Sequence, residues 1–152
     1  MLQEPRFEFL LTLTADGGEV LALGDGPQGE RRVVSILGGT FEGPGIRGEV
    51  LPGADWQLVR KDGVIDIDAR YALREENGGL VRVLSQGYRF GAPEVLEALA
   101  RGEDVDPAGY FFRPIMRFET GAPHLAWLNR TIAVAMGERK ARQVLLTAYK
   151  LL

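Results

Sequence analysis

An alternation of apolar and polar residues with a period of two, cut at intervals by glycine-bearing turns, is the feature that most constrains this chain. Phe7, Phe9, Leu11 and Leu13 alternate with Arg6, Glu8, Leu10 and Thr12, and Ile65, Ile67, Ala69 and Tyr71 alternate with Asp66, Asp68 and Arg70. Successive side chains of a strand point to opposite faces, so each segment offers one face to a core. Turn chemistry follows at Asp16-Gly17-Gly18, Gly24-Asp25-Gly26-Pro27, Lys61-Asp62-Gly63 and Asn77-Gly78-Gly79. Between these turns the pattern predicts strands over residues 19–23, 31–37, 54–60, 64–73 and 80–89.

One short helix is predicted after Gly91-Ala92, with Pro93 at its first position, Val95, Leu96 and Leu99 as its apolar stripe and Gly102 at its close. Residues 110–119 read as extended, with Pro114 at an edge or bulge. Residues 123–128 read as a turn or one loose helical turn. Residues 129–136 and 141–149 read as strands, the last in preference to a helix. Gly38, Gly39, Gly43, Gly45, Gly48 and Gly53 crowd one stretch, which rules out a long helix there and suits the bends and bulges of a barrel. With no βαβ alternation, the expected fold is a single all-β domain over residues 1–152. Its form is an antiparallel barrel, lipocalin-like or calycin-like in outline, with one short helix.

Composition narrows the chemistry. The 152 residues carry a formal net charge of -3, without the positive excess that a phosphate backbone attracts, so no nucleic-acid partner is expected. No uncharged apolar run approaches the roughly 18 residues of a membrane span. Absence of cysteine removes disulfides and thiolate chemistry. With an early acid and proline in place of a secretory leader, it makes the cytoplasm the expected location. His124 is the only histidine and Ser35 and Ser85 the only serines, and neither serine lies in a G-x-S-x-G elbow. A serine–histidine hydrolase and a histidine-rich metal site therefore find little support. Gly43-Pro44-Gly45-Ile46-Arg47-Gly48 fits G-x-G-x-x-G, but a strand rather than a helix is predicted to follow it, so a barrel bend is the better reading. Neither cofactor nor metal is expected.

Two constellations are candidates for a site. Asp68 and Arg70 share one strand face with Asp66, either as a solvated outer face with weak ion pairs or as an acid–base and oxyanion pair entering a pocket. Arg113, Phe118, Glu119, Trp127 and Asn129 interleave aromatic surface with a cation, an acid and an amide. Such a mixture suits an apolar pocket or, equally, a packed aromatic cluster at a barrel rim. Asp55-Trp56 could join either set.

The order of short segments is itself informative. Gly38-Gly39-Thr40-Phe41-Glu42-Gly43-Pro44, Gly48-Glu49-Val50-Leu51-Pro52-Gly53-Ala54-Asp55-Trp56 and Asp68-Ala69-Arg70-Tyr71 are followed by Pro93-Glu94-Val95-Leu96, Tyr110-Phe111-Phe112-Arg113, Arg117-Phe118-Glu119-Thr120 and Trp127-Leu128-Asn129-Arg130. Together they resemble the domain-of-unknown-function family 3237 over nearly the whole chain. The resemblance implies a compact β-barrel with an internal cavity and leaves the reaction open. Asn77-Gly78 stands where that family usually has an acid before the glycine. Family-like positions supply the candidate pocket: Glu119, Asp68, Arg70 and Arg113 for catalysis, and Asp55, Trp56, Phe118, Trp127 and Asn129 for ligand binding.

Three functions fit these observations. The first is a cofactor-independent hydrolase, isomerase or cyclase acting on an aromatic or polyketide-like carbonyl or lactone compound. The second is a small-molecule carrier without turnover. The third is an oligomeric scaffold, and a homodimer is compatible with each.

Overall fold

A computed structural model describes all residues, Met1–Leu152. The strands run in chain order as β1 (Phe7–Gly26), β2 (Gly29–Gly43), β3 (Ile46–Val50), β4 (Gly53–Arg60), β5 (Ile65–Glu75), β6 (Leu80–Phe90), β7 (Phe111–Phe112), β8 (Ile115–Thr120), β9 (Ile132–Arg139) and β10 (Gln143–Leu151). Helix α1 (Pro93–Ala100) follows β6, and 3₁₀ segments occupy Pro107–Gly109 and Pro123–Arg130.

Every pairing is antiparallel, and the pairings close on themselves: β1 joins β2, β4, β5, β6, β8, β9 and β10 in turn, and β10 returns to β1. Eight positions complete the barrel. β3 shares the position of β4, since β2 pairs with β4 through Gly29–Ile36 and with β3 through Gly39–Gly43, and β5 likewise pairs with both. Closure leaves two edges unpaired, the two-residue β7 and the part of β1 from Gly18 to Gly26, which pairs with β2 alone.

The expected all-β barrel is thus the fold observed, and the strand predicted over residues 141–149 is β10, Gln143–Leu151. Two predicted breaks are not breaks. β1 passes through Asp16-Gly17-Gly18 without turning, because the glycines are absorbed as irregular register against β2 at Asp16/Gly17 and Gly17/Val20. β2 likewise runs through Gly38-Gly39. Gly39 has φ +150°, and a Cβ there would lie 1.8 Å from the carbonyl oxygen of Thr14. Gly43-Pro44-Gly45 turns β2 into β3, so the G-x-G-x-x-G segment opens a strand and not a helix.

The barrel has two unlike halves. At one end Leu11, Leu13, Leu73, Val81, Val83 and Met116 are fully buried, and the 3₁₀ helix Pro123–Arg130 closes over them with Leu125 and Leu128. Each such side chain contributes about 1.5–3 kcal/mol through burial. Also at this end, Glu75, only 4% exposed, meets His124 Nε2 at 2.6 Å and accepts the Asn77 backbone N–H at 2.8 Å. These hydrogen bonds, the His124 one foremost, hold the Glu75 carboxyl below its ordinary range. A depressed carboxyl stabilises the fold above its unfolded pKa, and that contribution is lost as pH falls through the folded value. Glu75→Gln is therefore expected to flatten the acid limb of a Tm-against-pH curve. A limb of unchanged steepness would remove Glu75 from acid unfolding.

Candidate functional site

The same inward parity that packs the closed end becomes polar toward the other. Along β6 the inward series is Val81, Val83, Ser85, Gly87 and Arg89; along β4 it is Asp55, Gln57 and Val59; along β2, Arg32, Val34 and Ile36. Ser85 and Arg89 of β6, with the β4 and β2 positions, line a cavity of about 880 Å³, a size suited to a small organic molecule. It lies toward the end that carries the β4–β5 turn at Gly63, the β9–β10 turn at Lys140–Arg142 and the Leu96, Leu99 face of α1. Ile65, Ile67, Ala69 and Phe112 supply apolar wall.

A directed hydrogen-bond chain crosses one wall. Arg32 Nε donates to Gln57 Oε1 at 2.8 Å, Gln57 Nε2 donates to Asp55 Oδ2 at 2.7 Å, and the Asp68 backbone N–H donates to Asp55 Oδ1 at 3.0 Å. With a cation at one end and a carboxylate at the other, Gln57 has one satisfied orientation. Burial nevertheless dominates at Asp55 and raises its carboxyl above the ordinary range, against the pull of Gln57, the Asp68 N–H and Arg89.

Arg89 is the more unusual group. Only 3% exposed, it makes no hydrogen bond or ion pair to protein, its Nε has no partner, and its Cζ lies 5.5 Å from the Phe112 ring centroid. Burial, then the nearby charges of Arg139 and Arg32, bring its pKa down to about 10. Arg139 is lowered as well, by burial and by Arg32. The Tyr71 hydroxyl is buried without a partner, and burial, then the Asp55 charge, raises its pKa.

Of the nine residues selected from sequence, Asp55 alone lines this cavity. Asp68 and Arg70 take the outward parity of β5, where Asp68 Oδ1 accepts from Arg70 Nε at 3.4 Å and from Gln86 Nε2 at 3.1 Å. The solvated-face reading of that pair therefore describes them. Trp56, 47% exposed, is also outward. Arg113 donates to the Phe112 carbonyl and lies over Phe111. Trp127 packs partly buried on the core beneath Lys150.

Glu119 sits opposite Arg82 on the outer face of β8, in an outer depression that Asn129 also lines, whereas Phe118 has the inward parity and packs in the hydrophobic core. Asn129 works on the backbone there: its Oδ1 accepts the Thr120 N–H at 2.7 Å and its Nδ2 donates to the Thr120 carbonyl at 2.9 Å. Sequence reasoning passed over Arg32, Gln57, Tyr71, Ser85, Arg89 and Arg139. The signal was the continued parity of strands whose first inward residues are plainly core. No group of three or more His, Asp or Glu side chains is placed to hold a metal ion.

The family model described as "Protein of unknown function (DUF3237)" matches residues 5–151. The chain belongs to this family. A UPF0311 protein of Rhodopseudomonas palustris is 41% identical over 146 residues, 95% of each chain, and one of Clostridium acetobutylicum is 36% identical over 99% of this chain and 96% of its own. Among solved structures, a conserved protein of unknown function from Rhodopseudomonas palustris superposes with a TM-score of 0.93 at 39% identity over 100% of both chains. A β-barrel-like protein from Acinetobacter baumannii gives 0.87 at 41% identity, over 100% of this chain and 99% of its own. A protein from Penicillium herquei, described as an enzyme, shares the fold with a TM-score of 0.76 at 18% identity, covering 100% and 98% of the two chains. The barrel fold is thus shared by chains of widely different sequence.

Proposed function

We propose that this DUF3237 barrel encloses a small molecule with an apolar body and a carbonyl or lactone group, and performs acid–base chemistry on it with Asp55. The observation that carries the reading is a carboxylate that faces the cavity, has its pKa raised by burial and lies near guanidinium groups. In lactone hydrolysis, water attacks the carbonyl carbon while Asp55 takes the water's proton. The oxyanion is met by guanidinium donors, and the proton returns to the leaving alkoxide as the C–O bond breaks. A raised pKa makes the carboxylate a stronger base. Asp55 takes the role that the sequence pattern suggested for Glu119 or Asp68, both of which face outward.

A carrier without turnover is the second reading, favoured by the apolar wall and by the hydrogen bonds that both Asp55 oxygens already accept. Dihydrocoumarin, an aromatic lactone, and N-phenyl-1-naphthylamine, a neutral fluorophore, distinguish the two. Under the catalytic reading the protein accelerates lactone opening, and Asp55→Asn loses that acceleration by a factor of about 100 or more while still binding the fluorophore. Fluorophore binding without acceleration selects the carrier. A protein that does neither is not a ligand barrel.

A further inference from the structure

We propose that the arginine-lined part of the cavity is an anion subsite, so that the molecule held there is an organic oxyanion, a carboxylate or enolate, on an apolar body. This rests on the cavity being a ligand site and adds the charge and shape of what it selects.

Four arginines line the cavity; Arg32, Arg89 and Arg139 stand with Asp55, whereas Arg142, Glu19 and Glu97 are exposed and Asp16 accepts from Gln143. Arg32 is engaged through Gln57. The side chains of Arg89 and Arg139 form neither a hydrogen bond nor an ion pair with protein, and Arg89 is almost wholly buried with its Nε unsatisfied. Lys140, at the rim, is different, being held by Asp104 and Glu138 at 2.6 and 2.7 Å. Buried polar atoms are nearly always paired, and a buried charge without a partner is costly. Arg89 is such a cation, and Arg139, half-buried and likewise without a side-chain partner, faces the same cavity, so an anion that enters it completes both.

The shape of the donors narrows the anion further. A guanidinium presents a planar fork that matches two oxygens on one carbon, which a carboxylate or a delocalised enolate provides. Phe112 supports Arg89 from one side. Val34, Ile36, Ile65 and Ile67 leave apolar wall for the rest of the molecule, and a heavily hydroxylated or polyphosphorylated ligand would leave its own polar groups unpaired against it. An oxyanion held by Arg89 and Arg139 also lies in the same enclosure as Asp55, the group proposed to move the proton.

8-Anilinonaphthalene-1-sulfonate and N-phenyl-1-naphthylamine share one apolar body and differ by the anionic group, so fluorescence titration of both isolates the charge. The anion is expected to bind at least ten-fold more tightly at low salt, one per chain, and to be displaced by 1-naphthoate but not by 1-naphthalenemethanol. Arg89→Gln and Arg139→Gln should each weaken the anion at least ten-fold and leave the neutral probe within two-fold, which also reports that the cavity is intact. Should one variant fail to fold, the other still decides. Equal affinity of the two probes for the native protein, or variants that keep the anion preference, would overturn the anion subsite and leave the ligand cavity standing. Failure of both probes to bind would overturn the two together.

Discussion

Gly39→Ala is expected to cost more than about 4 kcal/mol, most of the stability of an ordinary domain, while Gly45→Ala costs about 1–2 kcal/mol. Both glycines have positive φ, +150° and +74°, so conformational strain alone does not separate them. Their surroundings do. A Cβ on Gly39 would lie 1.8 Å from the Thr14 carbonyl oxygen and 3.1 Å from the Ala15 Cα, and backbone of a neighbouring strand cannot swing aside as a side chain can. At Gly45 nothing lies within 4 Å of the added atom. Gly39 sits where β2 passes from pairing with β4 to pairing with β3, and Ala15 opposite it belongs to β1. Opening that approach disturbs three strands of a closed ring at once. Urea unfolding of the two variants checks the difference; comparable midpoints would show that the barrel relaxes at Gly39.

The contrast also shows what could be read from the sequence and what could not. The alternation over β5 and β6 and the Asp62-Gly63 and Asn77-Gly78 turns are local signals, and local signals survive into the structure. Gly17-Gly18 and Gly38-Gly39 carry the same residue type but sit inside strands. Whether glycine turns a chain or lets another backbone approach depends on a neighbour far away in sequence, such as Thr14 beside Gly39.

A comparable ambiguity governed the site. Asp68 and Arg70 look functional because they are charged and regularly spaced, yet that spacing is what a solvated strand face requires. Arg89 looks like surface when met alone. It becomes interior only when the parity of Val81 and Val83 is carried through Ser85 and Gly87 to the end of the same strand. The family-like segments pointed toward the barrel and its cavity, and Asp55 in one of them does reach the interior. Ala69, Tyr71 and Phe112 of other such segments line the cavity too, while Asn129 fixes the backbone at Thr120 and Trp127 packs on the core.

Arg89→Met should make the ligand-free protein more stable, by about 2 kcal/mol at pH 7. Burial, then the charges of Arg139 and Arg32, lowers its pKa to about 10, a cost on the order of 3 kcal/mol for keeping the guanidinium charged in the folded state. Because the folded value lies below the unfolded one, that cost is complete below about pH 10 and is relieved only as pH rises above it, so it applies in full at neutrality. Removing the attraction between Arg89 and Asp55 returns part of the gain. Methionine fills much of the arginine stem's volume without a charge. Saturation with 8-anilinonaphthalene-1-sulfonate should reverse the order of stability. At 100 times its Kd a ligand stabilises the protein it binds by about 2.7 kcal/mol, and the variant has lost the group that holds the anion. Chemical unfolding with and without the probe reads both halves. A variant less stable than the native protein in the absence of ligand would make Arg89 a structural cation. Stability raised without a change in anion affinity would mean that the buried guanidinium carries its cost for some other purpose than holding an anion in the barrel.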